Sequence, residues 1–327
     1  MMKLRKELRT LVGVCIAALA FAGSDPEAKA SAELRATPNA GFHGIRLGDF
    51  EVTALYDGGG PGAFTPEMFH GNQKEIVSLL KKAYVDPKGI VGSDTSFLVN
   101  TGEKLILVDA GTGGHWGGPA LGKLLSNLRA IGYRPEEVDL VLLTHLHVDH
   151  AGGITTLDDQ RVFPNAEIRG AKEDGDFWLS EEIAKKAPKE AREFFDAARK
   201  VMAPYIAAGK WHPFEGAVEL APGVKALPIH GHTPGHTGYQ FTSKGQTLLV
   251  WGDVVHLMPV QFPRPEISVV YDVDARAAVK ARMPLLRTLA AKGTVIAGAH
   301  MPFPGFGRVR KVQAGYSWEP VSYLGTP

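Results

Sequence analysis

Short apolar runs that end in a polar side chain recur along the chain and predict buried β-strands. They are rich in β-branched residues and too short for helices, which favours strands covered on both faces. Rigid strands of this kind hold the residues that follow them at one edge of a sheet. The runs and the polar residues behind them are Leu105–Val108 with Asp109, Val138–Leu143 with Thr144, Leu248–Trp251 with Asp253, and Val295–Ala299 with His300.

The segment Asp49–Leu55 alternates between polar and apolar residues, as an early strand with one buried face does. The glycine-rich stretch Asp57–Pro61 follows it and predicts a turn that ends the strand.

Helical periodicity alternates with these strands. Apolar residues at helical spacing predict helices over Ala120–Ile131 and Ala275–Ala291. The charged segment Glu181–Ala208 is also helix-prone, with interruptions expected at Pro188 and Pro204. No linker-like tract divides the chain, so the simplest architecture is an αββα sandwich, an α/β fold in which two mixed β-sheets are flanked by helices.

Composition agrees with one such domain over residues 31–327. The chain has 327 residues, 44% hydrophobic content and 38 glycines, which suits a layered α/β protein with many loops. The net charge is +1, and lysines and arginines are scattered. The chain therefore presents no concentrated positive field, and we expect no nucleic-acid partner.

Residues 1–30 have the pattern of a cleaved secretory signal. Basic residues precede the apolar run Leu11–Ala22, and Ala28-Lys29-Ala30 has the small residues that a signal peptidase reads. The run is too short to span a bilayer of about 30 Å, which argues against a stable membrane anchor. We expect cleavage near Ala30 and a secreted or periplasmic protein. Since Cys15 is the only cysteine, the mature chain would bind metals through nitrogen and oxygen alone.

The segment Thr144–His150 concentrates metal-ligand side chains directly behind a predicted strand. Side chains alternate in extended backbone, so His145 and His147 share one side and can hold one ion. A turn at the end of the segment brings a carboxylate and a third imidazole toward a second ion. The alternative is a pair of buried histidines whose nitrogens are satisfied by the backbone. The ligand density favours a binuclear metal site.

The order of the motifs resembles the metallo-β-lactamase fold. The resemblance rests on these segments, in chain order: Leu105–Gly111, His145–His150 with Gly152-Gly153, Gly231–Thr237, Leu248–Asp253 and Val295–His300. It implies two divalent ions, zinc in the first instance, with manganese, iron or cobalt compatible with the same ligands. It also implies a bridging water between the ions, whose pKa falls toward neutrality. The implied ligands are His145, His147 and His236 for the first ion, Asp149, His150 and His300 for the second, and Asp253 for both.

Two further polar residues are expected outside the ligand set. His232 lies four residues before His236, and Pro234 and Gly235 between them exclude a helix, so the two imidazoles need not share a face. The family pattern implies a structural or supporting role for His232. Asp109 is expected to organise loops as a hydrogen-bond acceptor.

Aromatic residues near the motifs predict an apolar substrate pocket. Some of them will belong to the core, but Trp116 and Phe303 closely follow ligand-bearing strands and are expected to line the pocket. Such a cleft suits a small, uncharged or weakly charged substrate.

At the level of the whole mature chain, the resemblance extends to the methyl parathion hydrolase branch. Matching segments include Gly48–Leu55, Phe97–Gly102 and Asp176–Ser180. The branch implies a secreted dinuclear hydrolase, often a homodimer, acting on phosphotriesters, with relatives that open lactones or cleave aryl esters. Trp116, Trp178 and Phe195 would match its aromatic leaving-group pocket.

His256 departs from the phosphotriesterase pattern. It lies three residues after Asp253, where lactonases of this fold carry a tyrosine that polarises the substrate carbonyl and the phosphotriesterase has an apolar residue. Tyr271 likewise stands where a smaller residue is expected. An imidazole can donate the same hydrogen bond; the alternative is a histidine bonded to nearby backbone. We therefore expect lactone or aryl ester hydrolysis, with phosphotriester cleavage as a side activity and a dedicated phosphotriesterase as the alternative.

The expected mechanism is attack of the metal-bridging hydroxide on the carbonyl carbon. His256 and the two cations would stabilise the oxyanion, and Asp149 would carry the proton to the departing oxygen. A β-lactamase, a glyoxalase II and a flavodiiron protein fit less well, because the chain shows no carboxylate-binding cation near the motifs, no cationic surface for glutathione and no flavin domain. A metal-binding scaffold without activity is the non-enzyme alternative.

Overall fold

Two mixed β-sheets pack face to face, and helices cover their outer surfaces. The computed structural model describes residues 39–323, and from Ala40 onward they form one compact unit. The strands are β1 (Phe42–Leu47), β2 (Phe50–Phe64), β3 (Phe69–His70), β4 (Ile90–Asn100), β5 (Leu105–Val108), β6 (Leu140–Leu142), β7 (Glu167–Arg169), β8 (Glu219–Ala221), β9 (Val224–Pro228), β10 (Thr237–Ser243), β11 (Gln246–Val250), β12 (Ser268–Val269), β13 (Val295–Ala297), β14 (Phe306–Lys311) and β15 (Tyr316–Pro320). The helices are α1 (Gln73–Lys82), α2 (Leu124–Ala130), α3 (Val148–Ala151), α4 (Lys172–Trp178), α5 (Glu181–Lys186), α6 (Arg192–Ala207), α7 (Met258–Gln261) and α8 (Ala275–Lys292).

The N-terminal sheet has the strand order β1-β2-β4-β5-β6-β7, and the C-terminal sheet has the order β15-β14-β13-β11-β10-β9-β8. The first sheet is antiparallel from β1 to β5 and parallel from β5 through β6 to its edge strand β7. The second sheet is antiparallel except at its centre, where β11 and β13 run parallel. The carboxyl ends of β6, β11 and β13 carry the loops with the metal-ligand motifs. The predicted αββα sandwich with mixed sheets is confirmed.

Three apolar clusters hold the layers together. One lies between the sheets and includes Val99, Val108, Tyr239 and Val250. The other two lie outside them, where α2, α4, α5 and α6 cover the N-terminal sheet and α8 covers the C-terminal sheet. Because β5 and β6 are buried along their whole length, they can hold the loops behind them rigidly.

Strand β2 is longer than its sequence predicts. Instead of turning at Asp57–Pro61, the strand continues to Phe64 and pairs with β4, with irregularities between Tyr56 and Gly58 and between Pro61 and Phe64. Pro61 is tolerated because β1 pairs with β2 only as far as Leu55, so β2 is a sheet edge beyond that point.

Two helix predictions need correction as well. Helix α2 occupies only Leu124–Ala130 of the predicted Ala120–Ile131. The chain breaks between α5 and α6 around Pro188 as predicted, but Pro204 lies inside α6 without ending it. Pro204 is in the last turn of α6, so the distortion it causes affects little of the helix.

The predicted signal segment, residues 1–30, lies outside the described residues. Among the helices of residues 39–323, none combines the length and apolar character needed to cross a membrane.

Candidate metal centre

The loop behind β6 turns directly into α3, and this turn aims several side chains at one point. His147 is the residue that caps α3 and has extended backbone, so His145 and His147 project from the loop while Asp149 and His150 project from the helix. The three imidazoles are buried, with at most 7% of the residue exposed. The extended loop and the helix therefore direct two pairs of side chains toward two different points, as the sequence predicted.

The first cluster consists of His145, His147 and His232, whose ligand atoms lie within 4.8 Å of one another. Nε2 of His232 is 3.2 Å from Nδ1 of His147, and the rings of His145 and His232 are 4.8 Å apart.

The second cluster consists of Asp149, His150, Asp253 and His300, also within 4.8 Å. Oδ1 of Asp253 is 3.1 Å from Nε2 of His150 and 3.2 Å from Nε2 of His300. Its other oxygen, Oδ2, is 3.3 Å from Nε2 of His232 in the first cluster. Oδ2 also lies 3.3 Å from Nε2 of His300. Asp253 therefore faces both clusters, as a bridging ligand must.

The structure reverses the roles that the sequence assigned to His232 and His236. His232 is in the first cluster, whereas Nδ1 of His236 is 3.0 Å from the Ile229 carbonyl and its Nε2 accepts a 2.9 Å hydrogen bond from the Asp253 amide. Both nitrogens of His236 are thus committed to backbone, and burial lowers its pKa to about 3. His236 is a neutral ring that fixes the backbone of the bridging aspartate.

Gly252 makes this contact possible. It has a φ of +59°, and a side chain there would collide with Nε2 of His236. Only glycine lets the backbone reach the imidazole and turn toward the centre.

The outward nitrogens of the other histidines are also anchored. Nδ1 of His150 donates to Asp109 at 2.8 Å, and Nδ1 of His300 donates to the Ser93 carbonyl at 2.9 Å. Asp109 also accepts hydrogen bonds from the amide and hydroxyl of Thr144, and its φ of 58° is unusual for a residue other than glycine. Strain at the end of β5 thus aims a carboxylate at the ligand loop, and Asp109 takes the supporting position expected from the sequence.

Asp174, which sequence reasoning missed, joins the two ligand loops. Its buried carboxylate accepts hydrogen bonds from the amide of Leu146, between His145 and His147, and from the amide of Gly235, both at 2.8 Å. It stands on α4 and belongs to no local motif, so only the packing of α4 against both loops identifies it.

The electrostatics of the centre favour cations. Burial lowers the pKa of His145 and of His147 well below the usual range, so both rings are neutral and offer lone pairs. Burial alone would raise the pKa of Asp253, but the surrounding imidazoles, His150 foremost, hold it well below the ordinary value. Neutral imidazoles and an ionised carboxylate are the forms that bind metal ions. Burial alone would lower the pKa of the other ligand histidines, but Asp253 and neighbouring carboxylates raise the pKa of His150 well above its usual range and that of His232 and His300 to about 9. Metal binding must therefore displace protons from these three rings.

Several buried polar atoms support the same conclusion. Nε2 of His145, Nε2 of His150 and Oδ1 of Asp253 have no hydrogen-bond partner within residues 39–323. Unpaired buried polar atoms are costly and rare, and here they converge on one point. Nitrogen and oxygen donors in this arrangement fit a pair of divalent ions.

His256 lies at the edge of both clusters. Its Nε2 is 3.0 Å from Oδ2 of Asp253, and its ring stacks 5.3 Å from that of His300. Neither ring nitrogen makes a hydrogen bond of good geometry to any described residue, although the side chain is buried. The alternative expectation, a histidine bonded to nearby backbone, is not what the structure shows.

A cavity of about 520 Å³ opens beside His147. Its walls come from α4, α5, α6 and the loop after β12, and they are mostly apolar. Of the predicted pocket residues, Trp178, Phe195 and Tyr271 line it, together with Phe177 and Phe194. The ring of His147 packs against Trp178 at 5.0 Å and Phe194 at 5.5 Å, so the cavity adjoins the first cluster.

Three predicted pocket residues, Trp116, Phe303 and His256, do not line this cavity. Trp116 is 52% exposed on the loop before α2, and Phe303 packs against Tyr56 at 5.4 Å. Trp116 and Phe303 closely follow ligand-bearing strands in the sequence. The loops behind those strands turn in different directions, so neither side chain reaches the cavity. Phe64 was missed: the extension of β2 brings its ring edge-on to His256 at 6.5 Å and to His300 at 6.2 Å.

A family model described as "Metallo-beta-lactamase superfamily" matches residues 89–300. A curated N-acyl homoserine lactonase from Bacillus cereus is 29% identical over 115 residues, which are 35% of this chain and 37% of that relative. The match thus spans little more than a third of the relative's length.

Two solved structures resemble nearly the whole chain. The hydrolase AbOPH, of the beta lactamase superfamily, is 38% identical with a TM-score of 0.83, over 88% of this chain and 99% of that one. AidC, a dizinc quorum-quenching lactonase in complex with a homoserine product, is 29% identical with a TM-score of 0.79, over 86% of this chain and 98% of that one.

Proposed function

Because the chain belongs to the metallo-β-lactamase superfamily, it is a metal-dependent hydrolase, and we propose that it opens lactones or cleaves aryl esters. The observation that carries this choice within the superfamily is the buried imidazole of His256, which lies 3.0 Å from Asp253 and whose Nδ1 has no hydrogen-bond partner among the described residues. A phosphotriesterase with an apolar residue at this position has no such donor.

The ligand geometry supports two ions, with His145, His147 and His232 holding one, Asp149, His150 and His300 the other, and Asp253 bridging. Zinc is the metal we favour, since AidC is a dizinc enzyme and the ligands here are nitrogen and oxygen. When bound, the ions supply Lewis acidity and a nucleophilic water at neutral pH.

His256 supplies a hydrogen bond where negative charge develops on the carbonyl oxygen. Burial lowers its pKa, so the ring is neutral and carries one N–H. A fixed donor in a water-poor site stabilises an oxyanion far better than it would in water.

Asp149 is suited to moving the proton. Its side chain is 22% exposed, against 3% for Asp253, so it is the carboxylate of the centre that solvent and substrate reach. It accepts the proton of the attacking water and delivers it to the departing oxygen.

The cavity accommodates the apolar part of the substrate. Aromatic walls beside His147 favour an acyl chain or an aryl ring without charge. The named lactonase relatives act on substrates with this character, which supports an N-acyl homoserine lactone or an aryl lactone. The same walls suit the aryl leaving group of a phosphotriester, which is the side activity we propose; a dedicated enzyme of the methyl parathion hydrolase type is the alternative.

The test compares kcat/KM for an aryl lactone, an acyl-homoserine lactone and a dimethyl phosphotriester on one preparation with its metals quantified. We expect a lactone to be the best substrate. A phosphotriester turned over faster than both lactones would overturn the proposal in favour of the alternative, and a metal-replete protein inert to all three would favour a metal-binding scaffold.

The His256→Leu variant tests the donor directly. Because losing one oxyanion donor costs roughly 10²-fold or more in kcat, we expect the kcat for lactone opening to fall by that factor. Phosphotriester cleavage and metal content should change little. His256→Gln keeps an N–H and should recover part of the lactone turnover. His212→Leu, at an exposed position, is the matched control. Unchanged lactone kinetics in His256→Leu would refute the role of His256.

A further inference from the structure

A buried chain of charged groups connects α8 with the first cluster. It runs from Arg282 through Asp272 to His232. We propose that Asp272, held by Arg282, is a positioning residue that fixes the ring and the tautomer of His232 for metal binding. This inference rests on the metal centre of the proposed function and not on the class of ester that is cleaved.

The contact between Asp272 and His232 determines which nitrogen faces the centre. Oδ1 of Asp272 is 2.9 Å from Nδ1 of His232, and the carboxylate is fully buried. An ionised carboxylate only accepts, so Nδ1 keeps its hydrogen. Nε2, which faces Asp253 and His147, is then the nitrogen whose lone pair a metal ion would take. A carboxylate behind a metal-bound histidine orients the ring and increases its basicity.

The position of Asp272 is itself fixed. Its second oxygen accepts a 3.0 Å hydrogen bond from the Val269 amide and lies 3.9 Å from Nη2 of Arg282. The carboxylate is thus held on both oxygens, which leaves it little freedom to rotate away from His232.

Arg282 is buried to 1% exposure and ties α8 to the loop between β11 and β12. Its Nε donates to the Val254 carbonyl at 2.6 Å, and Nη1 donates to the carbonyls of Pro265 and Ile267 at 3.0 and 2.7 Å. Val254 follows the bridging Asp253 directly. One guanidinium therefore hydrogen-bonds the backbone beside the bridging ligand and the loop that follows it, and its charge lies 3.9 Å from the carboxylate behind His232.

Asp272 also lines the cavity, next to Tyr271. The loop after β12 is consequently both a wall of the cavity and the support of a metal ligand. A role for Asp272 limited to folding this loop predicts lower stability without a selective change at one metal site, and this difference makes the proposal testable.

The experiment measures both metal dissociation constants by competition with a chromophoric zinc chelator, without substrate. For Asp272→Ala we expect the affinity of one zinc equivalent to fall by roughly 10- to 100-fold while the other stays within about threefold. Asp272→Asn keeps an acceptor for Nδ1 and should recover part of the loss. In a double-mutant cycle of Asp272→Ala with Arg282→Met, the two losses of affinity for the weakened zinc equivalent should not be additive.

Asp57→Asn is the matched control. Asp57 is also a fully buried carboxylate, but it accepts hydrogen bonds from the loop at Thr112, Gly122 and Leu124 and touches no ligand histidine. It should lower the melting temperature and leave both zinc affinities in place.

A second readout does not depend on affinity. In the cobalt-substituted protein, Asp272→Ala should shift the visible absorption bands of one site, and the downfield proton signal of His232 Nδ1–H should disappear. The proposal is overturned if Asp272→Ala keeps both affinities and the cobalt spectrum, or if it weakens both equivalents equally. A wild-type protein that binds fewer than two zinc ions would instead refute the binuclear centre, and slow lactone turnover with selective zinc loss would refute only the ester preference.

Discussion

The two metal clusters share one bridging aspartate but are supported by different parts of the molecule. In the second cluster, His150 is held by Asp109 at the end of β5 and His300 by a carbonyl of β4. In the first cluster, His232 is held by Asp272 of the loop after β12, and His147 packs against Trp178 of α4 and Phe194 of α6.

The second cluster is thus fixed by the strands of the sheets, whereas the first cluster is fixed by residues that also form the substrate cavity. The strands behind the second cluster are buried in the cores of the sandwich, whereas the supports of the first cluster also form the cavity walls. We therefore expect changes in the cavity to affect the first ion and to leave the second in place.

Replacing Asp253, which both clusters share, should affect the two ions equally. Asp253→Ala takes away the carboxylate whose two oxygens face the two clusters, so both ions should be lost and kcat/KM should fall by at least roughly 10³-fold. Metal analysis and ester kinetics on the same preparation check this. One tightly retained equivalent of metal would show that the two sites do not depend on a common bridge.

Replacing the two neighbouring histidines should distinguish the ligand from the supporting ring. His232→Ala should lose one zinc equivalent and roughly 10²-fold in kcat. His236→Ala should retain two equivalents and lose mainly thermal stability, since both nitrogens of its ring hydrogen-bond to backbone groups. Metal content and melting temperature decide between them, and the reverse pattern would restore the assignment made from the sequence.

Removing the support of the second cluster should affect the other ion. Asp109→Asn weakens the contacts to His150 and Thr144, and it should lower the affinity of one equivalent by roughly 10- to 100-fold. In the cobalt-substituted protein, Asp109→Asn and Asp272→Ala should each shift a different visible absorption band. If both variants perturb the same band, the two clusters are not independently supported.

The smallest effect is expected in the cavity wall. Phe194 is half-buried beside His147, so Phe194→Ala should cost about 1 kcal/mol of substrate binding, roughly a fivefold rise in KM. Two zinc equivalents should remain. A large fall in kcat with unchanged KM would place Phe194 in the chemistry and not in binding.

Local sequence pattern predicts the architecture and the ligand-rich segment after β6, and the resemblance to the metallo-β-lactamase fold implies the remaining ligands. Buried runs such as Leu105–Val108 become central strands, and the polar residues directly behind them meet at one sheet edge. The choice between His232 and His236 could not be made in this way. Pro234 and Gly235 leave the direction of both rings to tertiary contacts, and the Asp253 amide and Asp272 settle it.

Features that depend on contacts between distant segments were not predictable. The glycines of Asp57–Pro61 indicate a turn, yet pairing with β4 extends the strand and delivers Phe64 to the site. Asp174 and Asp272 support ligand loops from a helix and a loop elsewhere in the chain, so no motif contains them.

The ligands also come from both sheets, since His145 to His150 follow β6 of the N-terminal sheet and Asp253 and His300 follow β11 and β13 of the C-terminal sheet. Neither cluster can therefore be completed before the two sheets have docked. Metal binding should therefore stabilise the folded state without stabilising the transition state of folding. Interactions of this kind slow unfolding and leave the folding rate nearly unchanged. Chelation should then shorten the lifetime of the folded protein while leaving its refolding rate nearly unchanged.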